Sequence, residues 1–241
     1  MLVDMHVHCA ELKDIDKYAG KMTLVCVADD PQSSRNVVEL SIKYRHVEPC
    51  VGIHPWNADM YSAQEMKSLF EQYIKSGDVR CLGEVGLDKR IGQDTLNKQR
   101  ELFGLIVSYA KEYDLVLNLH ASNAWREVFD VVYSSGIDKV FFHWYTGPLD
   151  LLRSIQEVGY YIGVNPAWKI QPKHREIVDL AEIKNTITES DAPYNYREIT
   201  LTPELIVETL NYLSYSRGIE LSSLVDSIYK NFKSLFGDRR N

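Results

Sequence analysis

The sequence predicts a (β/α)8 TIM barrel, regular or distorted, with an extra C-terminal helix, residues 1–241 forming a single domain. Three observations carry that prediction. A strand, loop and helix unit recurs at roughly thirty residues, the signature of parallel β/α architecture. The strand runs are apolar almost throughout, as strands covered on both faces must be. The length of 241 residues suits a barrel, which commonly takes about 250. An open doubly wound sheet would place a glycine-rich phosphate loop after the first strand, where this chain has Cys9-Ala10-Glu11-Leu12.

Residues 2–8 form the first strand, and their alternation puts Asp4, His6 and His8 on one face with Val3, Met5 and Val7 behind. A short helix follows near 14–20, then the apolar run 22–28 as strand two and an amphipathic helix over 31–46. Strand three, 48–54, ends at His54-Pro55-Trp56, and Ser62 with Glu65 is a capping box that starts the next helix. Strand four, 78–84, leads through Gly83-Glu84-Val85-Gly86-Leu87-Asp88 to a helix over 96–114. Strand five spans 115–120, with a helix over 124–134 that Gly136 ends; strand six spans 139–143, with a helix that Pro148 opens and Gly159 closes. Strand seven, 160–165, precedes a helix over 172–183, strand eight covers 185–191, and helices from Thr202 and Leu221 finish the chain.

Composition bounds the function. Hydrophobic residues at 45% and charged ones at 25% describe an ordinary globular chain rather than a disordered one. A net charge of −7 gives no global basic footprint, so a nucleic-acid substrate would need a local basic rim or bound cations. No apolar run reaches about 18 residues and the start lacks a signal-peptide pattern, which predicts a cytoplasmic protein with no membrane contact. Nothing in the sequence calls for an obligate protein partner. The four cysteines, Cys9, Cys26, Cys50 and Cys81, are far apart with no Cys-x-x-Cys, so reduced, buried thiols are expected, Cys9 among them as a structural residue.

In a barrel the C-terminal ends of the strands converge on one pocket. The polar residues ending these strands are His6, His8, His54, Glu84, His120, His143 and Asp191, all ligands for Zn²⁺, Mn²⁺ or a similar divalent ion. His6, His8, Glu84 and Asp191 would hold one ion, and Glu84, His120 and His143 a second, with Glu84 bridging. Such a pair activates water at neutral pH, and Asp191 could accept its proton. His54 fits no vacancy in either set, leaving a substrate-binding role or a plain rim role. Asp4 is expected to orient an imidazole from behind. His46 and His174, placed on helices, are expected to be satisfied core or rim histidines, and Lys89, past the strand end, to have a surface role. Trp56, Trp144, Tyr145, Trp168 and Tyr194 follow strand ends and either line the pocket or cover the barrel mouth.

Asp4-Met5-His6-Val7-His8, Gly52-Ile53-His54-Pro55, Gly83-Glu84-Val85-Gly86-Leu87-Asp88, Asn118-Leu119-His120, His143 within Phe141–Gly147, and Glu189-Ser190-Asp191-Ala192-Pro193-Tyr194 occur in that order. In this the chain resembles the TatD family of metal-dependent hydrolases, from Asp4 to the closing Asn231–Gly237. The resemblance implies a two-metal phosphodiesterase of the DNase type, with DNA or a small phosphodiester as substrate. It places His6, His8, Glu84, His120, His143 and Asp191 at the family's ligand positions. The departures fall elsewhere: Trp56 stands where a second His is common, Ser122-Asn123 where an Arg is common, and Asn195-Tyr196-Arg197 where a longer basic segment is common. Fewer cations weaken phosphate binding. Two other readings stay open: an amide or lactone hydrolase of the amidohydrolase type, whose pocket Arg197 and the aromatic rim would shape, and a non-catalytic metal-binding scaffold.

Overall fold

A computed structural model describes residues 1–237. Eight strands lie in sequence order in one parallel sheet: β1 (Leu2–Val7), β2 (Met22–Val27), β3 (Val47–Val51), β4 (Cys81–Gly86), β5 (Val116–His120), β6 (Val140–Phe142), β7 (Tyr161–Val164) and β8 (Thr186–Thr188). The sheet curls until its ends meet, and bonds from the last residue of β8 and the residues after it tie it to β1. Thr188 Oγ1 donates to the Val3 carbonyl (2.6 Å), Asp191 N–H to His6 O (2.9 Å) and His8 N–H to Ala192 O (2.8 Å). That closure makes a (β/α)8 barrel.

The strands pack around a continuous apolar core because nearly every residue in them is buried. The helices cover the outside: α1 (Pro31–Lys43), α2 (Ala63–Lys75), α3 (Leu96–Tyr113), α4 (Trp125–Ser134), α5 (Leu149–Glu157), α6 (Pro172–Leu180), α7 (Ile206–Arg217) and α8 (Leu221–Phe236). The Ser62–Glu65 capping box forms as expected, and a second one, Asp30 with Ser33, starts α1. The last helix, α8, packs on β8 and β1, where Asn231 Nδ2 donates to the carbonyls of Ile183 and Thr186. No helix among the described residues is long and apolar enough to cross a membrane.

Several boundaries differ from the sequence expectations. Between β1 and β2 only single helical turns form, at Cys9–Glu11 and Ile15–Tyr18. Pro148 caps α5 rather than opening it, and His46 lies in the turn after α1, its Nε2 against the Ile15 carbonyl. Strand β8 ends at Thr188, although Glu189 N–H still donates to the Val164 carbonyl (3.1 Å) of β7; Asp191 takes a left-handed backbone, φ 58°. Residues after Tyr194 form a two-residue-strand hairpin, β9 (Asn195–Tyr196) and β10 (Ile199–Thr200), before α7.

The expectation of reduced cysteines is overturned. Cys9 is disulfide-bonded to Cys26 and Cys50 to Cys81, with Cα separations of 5.2 and 4.5 Å, inside the range a disulfide spans. Cys50 and Cys81 are register partners across β3 and β4. Spacing along the chain could not reveal that adjacency, which arises only when the strands pair.

Candidate metal centre

All seven strand-end residues meet at the C-terminal mouth of the barrel, around the carboxylate of Glu84. Its two oxygens face opposite ways. Oε2 lies 3.3 Å from His6 Nε2 and 3.8 Å from His8 Nε2, while Oε1 lies 2.6 Å from His120 Nδ1 and 3.6 Å from His54 Nε2. Asp191 Oδ1 stands 3.3, 3.6 and 3.9 Å from Nε2 of His8, His6 and His143. Among the described residues the close sets are His6, His8 and Asp191; His6, His143 and Glu189; His8, Asp29 and Glu84; and His54, Glu84 and His120.

Four of the imidazoles have one nitrogen fixed by a partner behind them, which determines what the other can do. Asn118 Nδ2 donates to the Met5 carbonyl (2.7 Å), so its Oδ1 is free to accept from His6 Nδ1–H (2.8 Å). His8 Nδ1–H donates to Asp29 Oδ2 (3.1 Å), His143 Nδ1–H to Glu189 Oε2 (2.9 Å) and His120 Nε2–H to Asp88 Oδ2 (3.0 Å). In its neutral form each ring therefore turns a lone pair toward the centre. The fit is plainest at His6, whose Nε2 is buried and has no hydrogen-bond partner. A buried unpaired acceptor costs about 1–3 kcal/mol, which a bound cation would offset.

His54 is wired in the opposite sense. Its Nδ1 accepts the Trp56 backbone N–H (3.2 Å), so in the neutral ring Nε2 carries the proton and offers a donor, not a lone pair. Proximity brings His54 beside Glu84 and His120, and in this tautomer its Nε2–H faces His120 Nδ1 at 3.3 Å.

The electrostatics follow from burial and these contacts. Burial alone would raise Glu84, yet the rings of His54, His6 and His120 hold its carboxyl well below the usual range. His120 rises to about 9 because Asp88 and Glu84 outweigh its burial. Burial, with His6 stacked 3.6 Å away, pushes His143 down to about 3, so that ring is neutral. Glu189, wholly buried, is pushed up to about 7 by burial, despite accepting from Trp144 N–H and Asn165 Nδ2. The carboxylate fits only because residue 163 is glycine: a Cβ there would stand 2.4 Å from it.

A cavity of about 320 Å³ opens over the centre, and His54, Trp56, Trp144, Tyr194 and Arg90 are among its walls. A larger one, about 630 Å³, lies at the other end of the barrel, beside Glu48, Arg80 and Val116 at the strand starts. It contains no histidine, and barrel chemistry belongs to the opposite face.

Four expectations fail here. Tyr145 is wholly buried, its hydroxyl donating to the Pro148 carbonyl (2.7 Å), so it is core rather than a substrate contact. Arg197 sits in the β9–β10 turn over the Tyr196 ring and bonds the Ile170 carbonyl, away from both mouth cavities. Trp168 stacks on Tyr212 outside the mouth. Asp4 is buried, but it grips Ser190 through N–H and hydroxyl (2.8 and 2.5 Å) and the His6 backbone N–H (3.3 Å), not an imidazole. Trp56 and Tyr194 do line the cavity, Trp56 donating its indole N–H to Asp88. Lys89 pairs with Glu127 at the surface, and buried His174 bonds Asn165 N–H and the Tyr145 carbonyl. The orienting residues Asp29, Asp88, Asn118 and Glu189 were not singled out from sequence; all but Asp29 lie inside the quoted motifs, where a buried polar residue beside a strand-end His was the available signal.

The family model described as TatD related DNase matches residues 3–237. Human deoxyribonuclease TATDN3 is 24% identical over the whole of this chain and 96% of its own length. The Mycobacterium tuberculosis protein described as an uncharacterized metal-dependent hydrolase TatD is 28% identical over 80% of each chain. The crystal structure of YjjV, a TatD homolog from Escherichia coli, superposes with a TM-score of 0.87 at 20% identity, covering 98% of both chains. With a family model matched along almost its full length onto a barrel of this architecture, the chain belongs to the TatD family of metal-dependent hydrolases.

Proposed function

We propose that the chain hydrolyses phosphodiester bonds in DNA or a smaller nucleotide, using two divalent cations, and that residues 1–241 work as one catalytic unit. His6, His8, Glu84 and Asp191 would hold one ion, and Glu84, His120 and His143 the other, with Zn²⁺, Mn²⁺ and Mg²⁺ all chemically admissible. The observation that carries this reading is the set of four imidazoles, each fixed from behind, with the other nitrogen turned to the carboxylates of Glu84 and Asp191. The family's description and the deoxyribonuclease among the relatives supply the bond type.

Divalent ions in such a site supply Lewis acidity toward a phosphoryl oxygen and make water a nucleophile near neutral pH. The chain's own residues do the rest. Glu84, held ionised by its histidine neighbours, offers an oxygen to each side of the centre. Asp191 borders the cavity and would accept the proton of the attacking water. His54, whose Nε2 lies 3.3 Å from His120 Nδ1 and 3.6 Å from Glu84 Oε1, borders the same space and would turn its Nε2–H to a phosphoryl oxygen.

The test is hydrolysis of single-stranded DNA and of methyl 4-nitrophenyl phosphate with added Mn²⁺, Zn²⁺ or Mg²⁺, beside Glu84→Ala and Asp191→Ala. Metal-dependent cleavage that drops by about two orders of magnitude or more in both variants is expected. A metal-loaded wild type that leaves both substrates intact and turns over amides or lactones would replace this reading.

A further inference from the structure

Beside the metal centre the mouth opens into a second cavity of about 160 Å³, which shares Arg90, His120, His143, Trp144 and Tyr194 with the larger one. The two differ in chemistry. Carboxylates wall the larger, whereas the smaller has no acidic residue and is faced by the rings of Trp125, Trp144, Tyr194 and Tyr196. Trp144 meets the two tyrosines edge-on, with ring centres 6.1 and 5.0 Å apart, and its Nε1–H donates to Gln171 Oε1 (2.7 Å). That bond uses the amide oxygen and leaves the Gln171 amide nitrogen without a partner among the described residues. The hydroxyls of Ser122 and Thr146, on the same walls, are also unpartnered among them. Flat apolar faces with a few unspent donors and acceptors and no acid suit a neutral planar heteroaromatic ring.

Arg90 stands where the cavities join and is the one Lys or Arg lining either. Its backbone N–H is anchored on Asp88 Oδ1 (2.7 Å), while its guanidinium forms no ion pair among the described residues. A free fork of N–H donors between a cation centre and a ring-sized cavity matches a pair of phosphate oxygens. It also answers the shortage of cations that Trp56 and Ser122-Asn123 create.

We infer that the smaller cavity is a nucleobase subsite and that Arg90 binds the phosphate of the nucleotide whose base occupies it. The inference deepens the phosphodiester reading and rests on it for the position of the scissile bond. It commits the enzyme to contacts on a base as well as on phosphate, through Trp144, Tyr196, Gln171 and Thr146.

Binding to the Zn²⁺-loaded protein, measured by calorimetry, tests this with two monoesters that have no diester bond to cut: 2′-deoxyadenosine 5′-monophosphate and 2-deoxyribose 5-phosphate. The nucleotide is expected to bind about tenfold more tightly than the base-free sugar phosphate. Tyr196→Ala, or Thr146→Val combined with Gln171→Leu, should erase most of that ratio, and Arg90→Gln should weaken both ligands by about tenfold. Circular dichroism melts check that each variant is folded. Equal affinity for the two monoesters, or an Arg90→Gln protein that binds them as wild type does, would overturn the subsite. Hydrolysis of methyl 4-nitrophenyl phosphate, run in parallel, separates the two claims. A chain that cleaves it while ignoring the base refutes only the subsite; one that binds the base as described yet cleaves no diester refutes only the phosphodiester reading.

Discussion

His174 gives the prediction whose size can be worked out from the structure. The ring is buried on α6 between two backbone groups: Nε2 accepts Asn165 N–H (3.1 Å) and Nδ1–H donates to the Tyr145 carbonyl (3.2 Å). A neutral imidazole has one donor and one acceptor and satisfies both, whereas a second proton on Nε2 would set donor against donor. Burial holds its pKa down to about 4 from an ordinary 6.5, the bond to Tyr145 opposing without prevailing. Between those values the unfolded chain binds a proton that the folded chain refuses. The stabilisation is complete above about pH 6.5 and is lost as pH falls toward 4. At about 1.4 kcal/mol per pH unit, the window amounts to about 3 kcal/mol. His174→Gln supplies an acceptor and a donor on one side chain and does not titrate. Urea unfolding of both proteins across that range should show wild type losing about 3 kcal/mol more than the variant on acidification. Parallel pH profiles would refute the tautomer and burial argument. Asn165 also donates from Nδ2 to Glu189 (3.2 Å), so the same acidification loosens the support of His143.

Other expectations follow from single contacts. Glu189→Gln keeps the volume but can misdirect the His143 ring, and should lower metal affinity or kcat by about 10- to 100-fold with the fold's melting little changed. Gly163→Ala drives a methyl group into that carboxylate and should cost about 1–3 kcal/mol in urea unfolding, with weakened metal binding; a neutral outcome would mean that Glu189 has room to move. Thiol titration of the denatured, unreduced protein should find no free cysteine, against four after reduction; four before reduction would contradict the pairing.

The sequence made the barrel legible because the strands are apolar runs broken by turn residues, and because most of them end on a residue that would be costly to bury without a partner. It made the candidate ligands legible for the same reason: His6, His8, Glu84, His120, His143 and Asp191 recur at one position of the repeat. Lateral contacts stayed hidden. That Cys50 faces Cys81, or that Asp4 serves Ser190 across the barrel seam, depends on which strands are neighbours and in what register. Position after a strand end was also a poor guide to direction: Tyr145 turns into the core while Trp144, one residue earlier, faces the mouth. Arg90 drew no attention because an Arg in a polar turn is ordinary until the cavities beside it are seen.

The central claim is that these side chains hold catalytic cations, and a metal titration of chelator-treated protein tests it most directly. Calorimetry with Zn²⁺ or Mn²⁺, with phosphodiester hydrolysis followed in the same samples, should show two ions bound per chain and activity completed only by the second. Glu84→Ala should bind both more weakly and remain inactive. A chelated protein that keeps full activity, or a wild type that takes up no divalent ion, would contradict the account.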